Sequence, residues 1–503
     1  MAKFNREKVL RQLEFKRKWR SYSRYVYIAV PCVLCCLLCL YFAYSKFFVS
    51  DAQAVIRTTV GDFIHGDVVI SAYIDGEYSN TIPGKNDGYV VEKVVCDNDA
   101  SASWNNDKWG ILVINLTKRT KCNVHFKKVV SKVPDIIAQL DTTGKCPTVN
   151  ADGTVSVTEA EKQYGYLCNA KDAYGDSYYY RGNVTNNYVK FGEWQVRKYF
   201  GYYSDTSNAY HMYNSLEECQ NASSHNKKCA VGIDIGTPMY WRIIRINGDG
   251  TVRVIYDGIS AHANGDGSED KQIGTSNFND GYRYDELVNL RNYDNAHVGY
   301  MYGKVRASYA ETHANINTST IKTYLDAWYE NNIKGTSNEQ YVKDNLFCND
   351  RSFSTSNSGT GAGTSPTFYN SATSRINLKC PQQNDAFTVS DTTNGNGALT
   401  YGVGLVTADE VILAGGWSSK NVNYYLYSGN YYWTMSPSSF QQQYAYEHYV
   451  SHDGSTISRE PVAGGGHGSV ILSYGARPVL NLSSDVLKNG NGTASDPYRI
   501  SSD

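Results

Sequence analysis

Hydrophobic and polar positions divide this chain into one long apolar block and a succession of short alternating stretches. The block, residues 25–44 (YVYIAVPCVLCCLLCLYFAY), is an uncharged apolar run of twenty residues. At about 1.5 Å per residue, a helix of that length crosses a bilayer core of about 30 Å. Residues 25–45 therefore read as a transmembrane signal anchor. Beyond it, residues 68–74, 88–95, 109–116 and 122–126 are strand-like runs separated by turn clusters such as Asp75-Gly76-Glu77. They predict a small β domain over 50–130. A Cys96–Cys122 bridge would tie its strand ends in the manner of an immunoglobulin-like sandwich.

Breakers at 141–144 and 150–153 mark residues 131–170 as a linker, with a short helix over 131–140. The second domain runs from 171 to 503. Its strongest local signal is a hairpin: YWRIIRI (240–246), the turn Asn247-Gly248-Asp249-Gly250, then TVRVIY (251–256). Residues 317–331 carry Ile321, Tyr324, Leu325 and Trp328 at helical spacing, with Thr318 or Ser319 to cap. Thr407-Ala408-Asp409-Glu410 is a capping box, flanked by Val406 and Val411 as a hydrophobic staple, and Gly415-Gly416 ends that helix early. Residues 192–238 read as an insertion. The fold class expected is α+β and β-rich.

Charge orients the anchor. The stub 1–24 carries nine Lys and Arg against two Glu, a net +7, which leaves −8 for the rest of a chain whose total is −1. The positive-inside rule places the stub in the cytoplasm and the bulk of the chain outside the cell membrane. Ala52-Gln53-Ala54 offers a competing signal-cleavage site, although it lies well past the apolar run. Cys32, Cys35, Cys36 and Cys39 fall on one helical face, where small residues let two copies of the anchor associate. A mildly acidic exported region excludes nucleic acid as a partner, because phosphate binding needs a basic surface.

Eight further cysteines lie outside the apolar run. An even number in an exported region points to disulfides, and pairing sequence neighbours gives Cys96–Cys122, Cys146–Cys168, Cys219–Cys229 and Cys348–Cys380. They are too widely spread for a zinc site.

The segments YYYRGNVTNNYVKFG (178–192), YWRIIRINGDGTVRVIYDG (240–258), GLVTADEVILAGG (404–416), YYWTMSPSSF (431–440) and GARPVLNLSSDVLKNGNGTASDPYRI (475–500) resemble a recurring set of uncharacterised surface proteins of low-GC Gram-positive gut bacteria. More distantly, the capping-box helix, the WTMSP strand and the final G-x-R-x-V strand resemble the C-type-lectin-like fold, which formylglycine-generating enzymes share. That resemblance implies a C-type-lectin-like domain over 171–503. It does not carry an active site with it. A formylglycine-type site needs cysteines in the C-terminal core, and no cysteine follows Cys380. A calcium-dependent lectin site needs a Trp-Asn-Asp strand, and Trp104-Asn105-Asn106-Asp107 lies in the other domain.

Other chemistry is equally thin. Gly464-Gly465-Gly466-His467-Gly468 lacks the Lys-Ser/Thr of a phosphate loop, and neither Gly-x-Ser-x-Gly nor His-Glu-x-x-His occurs. His448 and His452 are four apart in a strand-like stretch, which is the wrong geometry for a helical metal pair. No catalytic residue, metal ligand or cofactor is expected.

Tyrosine is the compositional outlier, with 43 residues against 5 methionines. Tyrosine gives wide amphipathic contact at low entropy cost, so binding loops favour it, and it also favours strands. The loops before the last strand form the ligand surface in the fold this chain resembles. That places a binding face on Trp417, Tyr424, Tyr425, Tyr444, Tyr446, His448 and Tyr449, with Trp433 as the core member of the run. The expectation is a membrane-anchored surface binding or adhesion protein for an extracellular glycan or protein. The alternatives are an exported enzyme acting on glycan or cell-wall material, and a structural envelope protein.

Overall fold

The computed structural model describes residues 11, 13–19, 68–84, 89–98, 100–105, 108–114, 119–128, 132–157, 165–202, 210–222, 228–279, 298–304, 307–352, 375–416, 420–441, 444–455, 459–463 and 473–501. The anchor predicted over 25–45 lies outside them. Among the described residues no helix is long and apolar enough to cross a membrane. The chain divides into two compact units, Met1–Val130 and Ser131–Asp503. It is β-rich with few helices, an α+β protein.

In the first unit, strands alternate as their sequences predict. Along Thr120–Lys128 the buried positions are Thr120, Cys122, Val124 and Phe126. This strand pairs in parallel with Val68–Ile74 and antiparallel with Tyr89–Cys96; Glu77–Ser79 completes a four-stranded sheet. A separate hairpin, Ser101–Asn105 with Gly110–Ile114, sets Trp104 edge-on to Phe126 at 5.4 Å between ring centres. The immunoglobulin-like expectation is corrected here. Cys96 stands directly opposite Cys122 on the neighbouring strand of one sheet, whereas the immunoglobulin bridge joins two sheets.

The second unit is built on the predicted hairpin, Pro238–Ile246 with Val252–Gly258. Its turn shares its wiring, and a glycine in the left-handed region, with two other five-residue loops. In Asn150–Thr154, Asn247–Thr251 and Ser451–Ser455 the aspartate at the centre accepts the backbone N–H and the hydroxyl of the last residue. The glycine between them lies at φ of 82–84°, which favours glycine. The antiparallel sheet runs Val403–Gly404, Val479–Leu482, Val252–Gly258, Pro238–Ile246, Gly175–Gly182, Gly165–Asp172, with Tyr188–Glu193 also on Pro238–Ile246.

Residues 131–170 are not a linker. Val133–Ile137 is helical with Ile136 buried, and Gly165–Asp172 is a strand of this sheet, fastened by Cys146–Cys168. Turn-rich composition conceals the assignment, because the buried positions there are few and scattered.

The insertion makes its own three-stranded sheet from Lys198–Tyr202, Tyr210–Tyr213 and Cys229–Ile233, closed by Cys219–Cys229. All four locally paired disulfides are present. The long helix is Thr320–Asn332, capped by Ser319, whose side chain accepts the Lys322 N–H. The short helix Ala408–Ala414 has its full capping box and ends on Gly415 in the left-handed region, with Val406 and Val411 both buried. A second sheet, ordered Thr275–Ser276, Tyr474–Gly475, Tyr432–Gln441, Tyr444–Val450, Arg459–Ala463, carries the aromatic segment.

Candidate functional site

The aromatic run before the last strand divides by burial. Trp433 is fully buried and donates its indole N–H to the Ser276 carbonyl at 2.8 Å, as expected of the core member. Tyr424 and Tyr425, predicted at the binding face, are core residues: both are buried, and Tyr425 lies 5.6 Å from the Arg242 guanidinium. His448 is buried as well. Tyr449 is nearly so, packed edge-on against Trp433. Trp417 lies outside the described residues. Tyr444 and Tyr446 lie on the strand Tyr444–Val450.

Among the described residues, Tyr431 and its ring neighbours form a compact cluster. Tyr431, 38% exposed, stacks on half-buried Tyr474 with ring centres 5.2 Å apart and an interplanar angle of 18°. Exposed His452 stands 5.0 Å from Tyr431, and Tyr449 lies 5.7 Å from it. Tyr474 and Tyr449 in turn rest on Trp433. The backbone holds the platform in register, because the Gly475 N–H donates to the Tyr431 carbonyl at 2.8 Å. His452 is presented by the turn Ser451–Ser455, whose Asp453 is held below its usual range. Burial opposes that shift, and hydrogen bonds from Ser455 outweigh it.

A second loop borders the platform. Gly267 touches Gly429, two residues before Tyr431, and a Cβ at Gly475 would meet Gln272 Oε1 at 1.8 Å. Gln272 Nε2 donates to Glu269 Oε2 at 3.0 Å. The half-buried Glu269 carboxyl is raised, chiefly by burial. Tyr474 immediately precedes the G-x-R-x-V segment, where the strand signal conceals a surface position, and the spacing of His448 and His452 points first to metal geometry rather than to an aromatic face.

Three other constellations bring together groups capable of chemistry. Ser260 Oγ lies 3.4 Å from His262 Nε2, and Asp266 accepts at His262 Nδ1, which outlines a Ser-His-Asp arrangement. Asp270, however, also binds Nε2, at 2.8 Å. Burial opposes the charged ring, but the two carboxylates outweigh it and raise the His262 pKa. An imidazolium held on both nitrogens has no lone pair to take the Ser260 proton.

Asp350, Asp409 and Glu410, with Arg245 and Arg253, line a cavity of about 20 Å³, room for a single water. Burial drives the Asp409 carboxyl well up; it would also raise Glu410, but Arg253 and Arg245 outweigh it. Lys171, Tyr174, Asp176, Lys379 and Gln383 edge an open groove of about 740 Å³ beside Cys380. Its Lys171 is spent on Asp176. Among the described residues no three His, Cys, Asp or Glu side chains converge as a metal site.

No protein family, no curated protein and no solved structure matches this chain.

Proposed function

We propose that this chain is a single-pass surface protein, anchored by residues 25–45 with its N-terminus in the cytoplasm. In this reading its second unit binds an extracellular glycan or protein through the Tyr431–Tyr474 face. The observation that carries it is the exposed ring of Tyr431, fixed by three aromatic neighbours at the end of a sheet. Rigid aromatic contact area costs little ordering entropy on binding, so such a cluster suits recognition. The four disulfides fit an extracellular or secreted setting. A C-type-lectin-like architecture belongs to the same proposal. Its support is the order of capping-box helix, aromatic strand and final strand, the last returning to pair with the central hairpin.

An exported enzyme is the second reading, favoured by one observation: Asp409 is raised and its neighbour Glu410 is lowered. A cavity that holds one water gives a glycan no access to that pair.

The test is an array of glycans and host proteins probed with the full-length protein in lipid nanodiscs. Captured ligand should be lost from a Tyr431→Ala, Tyr474→Ala double variant and kept by Asp409→Asn. Capture that survives the double variant would move the site elsewhere, to the insertion 192–238 first.

A further inference from the structure

We propose that the ligand of the Tyr431–Tyr474 face is a neutral carbohydrate, held by stacking on these rings and by hydroxyl hydrogen bonds to Glu269. The inference rests on the reading of this face as the binding site, and it adds the ligand's chemical class.

A pyranose ring has an apolar C–H face and a rim of hydroxyls. An aromatic ring presents a negative π-face, which attracts those C–H groups. Tyr431 offers such a ring, and Tyr474, Tyr449 and His452 hold it in place, so little rotamer freedom remains to be lost on stacking.

The hydroxyl rim needs acceptors beside the platform. Glu269 supplies one. Its Oε2 is fixed by Gln272 Nε2 at 3.0 Å, while its Oε1 accepts no hydrogen bond from the described residues. Gln272 is seated against Gly475, the residue after Tyr474, and a side chain at 475 would expel it. The carboxylate is thus tied to the platform through one amide and one glycine. Binding sites for polar ligands commonly combine an apolar wall with a few placed polar groups of this kind.

Charge selects among carbohydrates. Glu269 is joined to the platform through Gln272, which is seated against Gly475, and Asp453 follows His452. The cation of the same loop, Lys271, is buried and donates to the Tyr427 carbonyl at 2.7 Å, with Asp257 3.5 Å away. A uronate or phosphorylated sugar would meet these carboxylates, while the exposed His452 imidazole already interacts with Asp453, which disfavours it.

The experiment uses full-length protein in nanodiscs and calorimetric titration with neutral hexasaccharides of glucose, mannose and galactose, and with a hexagalacturonate. Variants are Tyr431→Ala, Tyr431→Trp, Glu269→Gln and, as an exposed-tyrosine control in the first unit, Tyr78→Ala, each checked for an unchanged Tm. At least one neutral hexasaccharide should bind the parent protein. Its affinity should fall about tenfold or more in Tyr431→Ala and several-fold in Glu269→Gln, and it should be kept by Tyr431→Trp and Tyr78→Ala. Preference for the hexagalacturonate, or no neutral saccharide binding, overturns the inference. If no saccharide binds while Tyr431→Ala still abolishes protein capture on the array, the face stands and the carbohydrate assignment falls. If a saccharide binds and neither Tyr431→Ala nor Glu269→Gln weakens it, both fall together.

Discussion

Arg477 donates through Nη2 to Asp257 Oδ1 at 2.8 Å, and both side chains are completely buried. Arg477 also donates to the carbonyls of Tyr256 and Leu426, at 3.1 and 2.7 Å. The same Asp257 faces Lys271 at 3.5 Å and Arg242 at 3.8 Å. One carboxylate therefore stands between three cations where the last strand, the central hairpin and the loop carrying Tyr424 and Tyr425 meet. The arginine of the G-x-R-x-V segment is part of the frame behind the aromatic face.

Asp257→Asn should cost more than Arg477→Met. The first leaves three buried cations around a neutral amide and should destabilise by about 3–5 kcal/mol. The second leaves Asp257 with Lys271 and Arg242 and should cost about 2–3 kcal/mol, mainly for carbonyls left without a donor. Urea unfolding of both variants measures the order, and equal costs would show that Asp257 does not hold all three.

Glu447 should make the protein less stable as pH rises. It is fully buried, neither carboxylate oxygen has a hydrogen-bond partner among the described residues, and burial drives its pKa well up. An unfolded glutamate titrates near about 4.3. Above that value the unfolded chain has released a proton that the folded chain still holds. Its stabilising contribution is therefore full below the unfolded pKa and is lost as pH rises through the folded one. Glu447→Gln should match the parent at pH 4 and exceed it at pH 8. The check is chemical denaturation at both values; a gap that does not change with pH rejects the assignment.

The four disulfides should differ in what their removal costs. In the chain-entropy account a longer loop gains more from closure. Cys219–Cys229 spans 10 residues and Cys348–Cys380 spans 32. Serine pairs at 219 and 229 should therefore cost about 1 kcal/mol less than those at 348 and 380. Thermal unfolding of the two double variants ranks them. Non-reducing peptide mapping of native protein should recover all four bridges, and free thiols at Cys348 and Cys380 would contradict them.

If residues 25–45 anchor the chain with the stub inside, as proposed, protease added to intact cells should remove the chain beyond residue 50 and spare residues 1–24. N-terminal sequencing of the mature protein separates anchor from leader. A start at Val55 would establish cleavage after Ala54.

Alanine at Tyr449 should lower the Tm, because its ring lies 6.4 Å from that of buried Trp433 and is 5% exposed. Tyr431→Ala, at a position 38% exposed, should change stability by no more than about 0.5 kcal/mol. A thermal melt of each tests the division of the aromatic run into core and face; equal shifts would remove it.

That division marks where the sequence ceases to be sufficient. The hairpin at 240–256, the caps at Ser319 and Thr407, the stop at Gly415 and the four cysteine pairs were all legible, because each depends on residues close in the chain. A turn aspartate reaches its threonine two residues on, and a cap reaches the third N–H of its own helix. The sequence by itself thus determined the local elements, the covalent staples and the apolar block with its charge asymmetry. Burial of a given side chain depends on what distant segments lay over it. Arg242, Arg245 and Arg253 carry charges that favour solvent, yet they are buried, because Asn187, Asp172 and Glu410 close over them from other parts of the chain. Tyr424 and Tyr425 went inward and Tyr431 outward for the same reason. Tertiary structure decided these placements, since a tyrosine carries enough apolar surface to favour burial and a hydroxyl that water satisfies equally well.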